Sequence, residues 1–71
     1  MAQRITLEDT DHVYQFIVEF IHTHGGYPPS QEEIARACYM SRSAVQRYLD
    51  VLAAHGRIIR EERRARGIWL P

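Results

Sequence analysis

Residues 30–56 read SQEEIARACYMSRSAVQRYLDVLAAHG, and the periodicity of this stretch decides the fold. Ile34, Ala35 and Cys38 recur at helical spacing, and after Tyr39-Met40-Ser41 the spacing resumes at Val45, Tyr48, Leu49 and Leu52. Two helices joined by so short a break form a helix-turn-helix pattern. Ser30 and Glu33, three residues apart ahead of the apolar run, make a capping box that opens the first helix at about 31–38. Ser41 caps the second, about 42–55, and Gly56 stops it. Tyr39 falls where such turns favour a glycine with positive φ, at a cost of ~1 kcal/mol for any other residue. Met40 should plug the core between the two helices. In the second helix Val45, Leu49 and Leu52 face inwards with Tyr48 at the edge. Arg42, Ser43, Gln46, Arg47 and Asp50 lie outwards, groups able to hydrogen-bond base edges or phosphates. In this motif the first helix braces a second whose outer face is free to enter a major groove. A solvated helix face carries the same residue types, so the stripe by itself leaves both readings open.

Upstream, Thr6-Leu7-Glu8-Asp9 fits an N-terminal cap, with the Thr6 hydroxyl and the Asp9 carboxylate able to take first-turn amides. Val13, Phe16, Ile17, Phe20 and Ile21 form one stripe on a helix at about 7–24 that Gly25-Gly26 ends. This stripe is expected to make the largest single contribution to the core. His22 and His24, two apart, point to different faces and have no cysteines or carboxylates beside them to complete a metal site. The loop Gly25-Gly26-Tyr27-Pro28-Pro29 holds an extended backbone into the Ser30 cap. An outward helix start at Ser30 suits phosphate, although Glu32 places an opposing charge in the same turn.

Downstream the period changes. Arg57-Ile58-Ile59-Arg60-Glu61 and Gly67-Ile68-Trp69-Leu70 flank the polar run Glu62-Arg63-Arg64-Ala65-Arg66, which signals a hairpin at about 57–70. A hairpin after a helix-turn-helix is a wing. Setting Ile58 against Leu70 places Ile59 opposite Trp69 and Arg60 opposite Ile68. Alternation then sends Ile58, Ile68 and Leu70 to the core, and Ile59 with Trp69 to the outer face. The tip arginines Arg63, Arg64 and Arg66 would lie where a wing touches phosphates or a minor groove. The exposed Ile59/Trp69 pair is a candidate subunit or domain contact.

A chain of 71 residues makes one domain and buries only ~60% of its unfolded surface, too little for an enclosed substrate pocket. An enzyme, a bound cofactor and a small-molecule ligand are all disfavoured. No run approaches the ~20 apolar residues of a membrane span and no signal-peptide core opens the chain, so it reads as cytosolic. The single cysteine, Cys38, is most simply a small buried apolar residue. Net charge is zero, an obstacle to nucleic-acid binding that its distribution softens. Up to residue 35 one Arg faces six acids; from residue 36 eight Arg face three acids. Every basic residue is Arg, whose fork suits guanine and phosphate.

The element order and several motifs resemble the N-terminal DNA-binding domain of LexA-type repressors, a mainly α, three-helix winged helix-turn-helix. The resemblance rests on Gly26-Tyr27-Pro28-Pro29-Ser30, Glu33-Ile34-Ala35, Ser43-Ala44-Val45 with Leu49 and Leu52, Gly56-Arg57-Ile58, and Arg66-Gly67-Ile68-Trp69-Leu70, nearly the whole chain. It implies base contacts from Ser43, Ala44, Gln46 and Arg47. Backbone contacts would come from the second helix's start at Ser30 and from the wing with Arg60, Arg63, Arg64 and Arg66; Arg42 joins the DNA-binding candidates from its place on the outer face. The second glycine of the first loop and the short turn at Tyr39 depart from the family pattern. The self-cleaving domain of such repressors is absent, which suits either a domain of a longer repressor or a small stand-alone regulator. Two functions follow. One is a sequence-specific double-stranded DNA-binding module of a transcriptional repressor, acting as a homodimer or within a longer dimeric protein. The other is a protein–protein winged helix that uses Ile59 and Trp69.

Overall fold

In the computed structural model, residues 6–61 and 63–71 are described; Glu62 of the expected wing turn and residues 1–5 of the expected domain lie outside them. Three helices, α1 (Leu7–Thr23), α2 (Gln31–Ala37) and α3 (Arg42–Ala54), precede an antiparallel hairpin of β1 (Ile59–Arg60) and β2 (Ile68–Trp69). The architecture is a winged helix-turn-helix.

Side-chain oxygens open each helix. Thr6 Oγ1 accepts from the Asp9 amide at 3.1 Å, Ser30 Oγ from Glu33 at 3.1 Å and Ser41 Oγ from Ala44 at 3.1 Å. All three helices close in one way. The residue after the C-cap takes a positive φ, and the following amide reaches back to a carbonyl five residues earlier. Gly26 donates to Ile21 at 2.9 Å, Met40 to Ala35 at 3.0 Å and Arg57 to Leu52 at 2.9 Å. Glycine supplies the turn after α1 and α3, at Gly25 (φ 64°) and Gly56 (φ 72°), whereas α2 uses Tyr39 (φ 54°). The Tyr39 ring is 95% exposed, so no packing offsets the backbone strain.

The core corrects one expectation. Of the α1 stripe only Val13 and Ile17 are fully buried, with Phe16, Phe20 and Ile21 partly so, whereas α3 buries Ala44, Val45, Tyr48, Leu49 and Leu52. The reason is topological. α3 packs against α1, α2 and β1, so residues on several of its sides meet protein, while α1 packs against α2 and α3 without the hairpin strands. Tyr48, expected at the edge, is completely buried, and its hydroxyl donates to Asp9 Oδ2 at 3.3 Å. That carboxylate therefore anchors α3 rather than capping α1. Burial, then the Asp9 charge, pushes the Tyr48 hydroxyl pKa up.

The hairpin pairs Ile59 with Trp69 and Arg60 with Ile68. Ile58 and Ile68 complete the core, and Ile59 stays 52% exposed. Leu70, expected inwards, is instead 36% exposed, because β2 ends at Trp69 and the alternation does not extend past it. Gly67 is needed for close approach: a Cβ there would collide with the Glu61 carbonyl, whose own amide donates to the Gly67 oxygen at 2.7 Å. At the hairpin's base Arg57 binds Asp11 at 2.7 Å and lies 4.0 Å over the Tyr14 ring, tying the end of α3 to α1.

Replacing Tyr39 by glycine removes a left-handed strain of about 1–2 kcal/mol and adds unfolded-chain entropy of about 0.5–1 kcal/mol. The net expectation is a thermal midpoint raised by about a few degrees. An unchanged or lowered midpoint on melting Tyr39→Gly would show that the exposed ring contributes contacts of its own.

Candidate nucleic-acid interface

The outer stripe of α3 carries Arg42, Ser43, Gln46, Arg47 and Asp50, all exposed. Ala44, placed among the base contacts by the family resemblance, is only 2% exposed. Its methyl packs into the core, so the position can give a base little more than backbone. Ser30, Gln31 and Glu32 of the α2 start face Arg42 and Gln46 of α3 and Arg63, Arg64 and Ala65 of the wing tip across a cleft of about 290 Å³. Within it Gln46 Nε2 donates to Gln31 Oε1 at 3.4 Å. Ser30 Oγ is taken by its cap, and its own proton remains to give.

The described arginines divide into two groups. Arg36 pairs with Glu32 at 3.5 Å, Arg57 with Asp11 at 2.7 Å and Arg64 with Glu61 at 3.2 Å, while Arg60 pairs with Asp50 and Arg66 with Glu33. Arg42, Arg47 and Arg63 have no acidic partner among the described residues. All three stand on the outer face of α3 or at the wing tip. The remaining described arginines are each matched by an acid, several of which (Glu32, Glu33 and Asp50) belong to α2 and α3 themselves.

Two of the expected DNA-contacting residues are held by the fold. The Arg60 side chain is only 11% exposed, drawn back from the surface by Asp50 on α3. Arg66 reaches inwards instead of lying at the tip. Its guanidinium binds the Glu33 carboxylate, donates to the Pro28 carbonyl at 3.0 Å and lies 4.7 Å from the centre of the Tyr27 ring. Sequence spacing places both in the wing, but only the fold shows which acids lie within reach. The positional signal was present in Glu33, a carboxylate already oriented by the cap.

Glu33 Oε1 also accepts from the Ser30 amide at 2.8 Å. The Arg66 hydrogen bond, and then the Ser30 amide, hold its pKa down at about 2. Elsewhere, Cys38 caps α2 half-buried, and burial raises its thiol pKa. The His24 ring stacks on Phe20 with centroids 3.7 Å apart. No metal-ligating cluster of three His, Cys, Asp or Glu occurs among the described residues, and no helix there is long and apolar enough to cross a membrane.

Because the folded pKa of Glu33 lies below its unfolded value, its contribution to stability is complete above about 4.5 and fades as pH falls towards about 2. Denaturant unfolding of the native protein and Glu33→Gln should therefore differ most at neutral pH and converge across that window. A difference that stays constant with pH would mean that the carboxylate is not held in this way.

A comparison with curated proteins finds no match. The family model described as the LexA DNA binding domain matches residues 3–67, spanning all three helices and the wing as far as Gly67. The chain therefore belongs to the LexA DNA-binding domain family and is a DNA-binding, transcription-regulating helix-turn-helix module.

Proposed function

We propose that this chain is the sequence-specific reading head of a transcriptional repressor, with α3 in the major groove of double-stranded DNA and the wing tip on the backbone or adjacent minor groove. The observation that carries the reading is the placement of Arg42, Arg47 and Arg63, the arginines without an acidic partner among the described residues, around the α3 face and the cleft beside it. In that pose Ser43, Gln46 and Arg47 meet base edges. Arg42, Arg63, Arg64 and the Ser30 hydroxyl meet phosphates, Arg64 by exchanging Glu61 for a phosphate oxygen. Arg60 and Arg66 support the wing from inside. The module binds and carries out no chemical step.

A single recognition helix covers only a few base pairs, so a useful operator calls for two copies on two half-sites, as a homodimer or through a further dimerising domain. The exposed Ile59/Trp69 pair favours a second role for the wing's outer face, as the contact to that copy or domain. If so, Trp69 fluorescence gains protection from a soluble quencher as protein concentration rises. Protection unaffected by dilution removes that contact.

Selection from a randomised duplex library at low salt, followed by salt titration of the best sequence, tests the main reading. Log affinity should fall by roughly 0.9 per log unit of salt for each phosphate engaged. Arg63→Ala should reduce that slope by ~1 for every sequence alike, whereas Arg47→Ala should lose about 1–3 kcal/mol of discrimination at one position. An unenriched library with a flat salt response would transfer the function to the Ile59/Trp69 face and a protein partner.

A further inference from the structure

The hydrogen bond between Gln46 and Gln31 joins the middle of α3 to the first turn of α2. A free glutamine side chain is a poor reader of sequence. Its amide rotates, and with its oxygen and nitrogen exchanged it can satisfy any base edge that offers one donor or one acceptor. Gln46 is exposed on the α3 stripe, and no core contact fixes its terminal torsion. What restrains it is Gln31, itself only partly exposed in the cleft, whose Oε1 accepts one Nε2 proton at 3.4 Å.

That restraint has a chemical consequence. With one Nε2 proton engaged, Gln46 keeps one acceptor, Oε1, and one donor, the second Nε2 proton. This is the pair that adenine matches in the major groove, N6 giving a proton and N7 receiving one. Guanine, with two acceptors at N7 and O6, asks for two donors, which Gln46 no longer has. We propose that Gln31 is a positioning residue that sets the base preference of Gln46 to adenine without touching a base itself. The inference rests on the reading above in which α3 occupies the major groove.

Neighbouring residues leave this role to Gln31. Glu32 is turned to Arg36, Glu33 to Ser30 and Arg66, and Asp50 to Arg60, so the carboxylates nearest in sequence to either glutamine are engaged elsewhere.

Duplex-library selection is run in parallel with the native protein, Gln46→Ala, Gln31→Met and Gln31→Glu, each first checked for an unaltered melting curve. Gln46→Ala identifies the base pair that Gln46 reads. Gln31→Met, close in length but without an acceptor, should lower the adenine preference there from roughly tenfold towards none while the other positions keep theirs. Gln31→Glu, which still accepts a proton, should retain it. The inference is overturned if Gln31→Met leaves adenine preferred at that pair, if it relaxes a different pair, or if the pair assigned to Gln46 is not adenine. Failure of the underlying reading looks different: the native protein would then enrich no motif, and both would fall together.

Discussion

The carboxylate of Glu33 joins three parts of the chain at one point. It closes the cap of α2 by accepting from the Ser30 amide, and its same oxygen takes the Arg66 guanidinium, which in turn grips the Pro28 carbonyl. A local helix-start motif thereby becomes a tertiary joint between the first loop, α2 and the wing. The hairpin has only two residues in each strand, too few to be stable alone. It depends on this joint, on the Arg60–Asp50 pair and on the burial of Ile58 and Ile68. The wing is thus positioned relative to α3 by side chains that pair within the fold.

Much of this architecture was legible from spacing and punctuation. The capping box at Ser30, the cap at Ser41, the positive φ at Tyr39 and the opposition of Ile59 to Trp69 all follow from local rules, because each involves residues close in sequence or a two-residue repeat. Departures arose where the outcome depended on distant parts of the chain. Tyr48 looked like an edge residue from its position around the helix; Asp9, 39 residues earlier, supplies a partner for its hydroxyl that helps it to be buried. Leu70 followed the alternation on paper, yet the strand ended one residue before it.

The exposed, cationic face of the candidate interface was legible in composition and less so in detail. Counting arginines in the second half of the chain indicated a nucleic-acid surface, and the outer stripe of α3 named the exposed positions. Ala44 could not be separated from its neighbours by spacing alone, because it sits at the boundary between the outer stripe and the face turned to the core, and only the packing shows that it is buried. Arg60 and Arg66 could not be told from Arg63 either, since all belong to one run and differ only in which acid the fold brings near.

The division of the arginines bears on how such a module would search a genome. A surface bristling with free cations binds any duplex, exchanging small ions for phosphates wherever it lands, and spends much of its time on irrelevant sequence. Here most guanidinium groups of the described residues are already neutralised by acids of the same chain. Arbitrary DNA would find few charges to hold, so encounters would be brief and background occupancy low. Under the proposed function, residence would depend instead on the few contacts that distinguish one sequence from another, and the near-neutral balance would help keep the protein off the wrong sites.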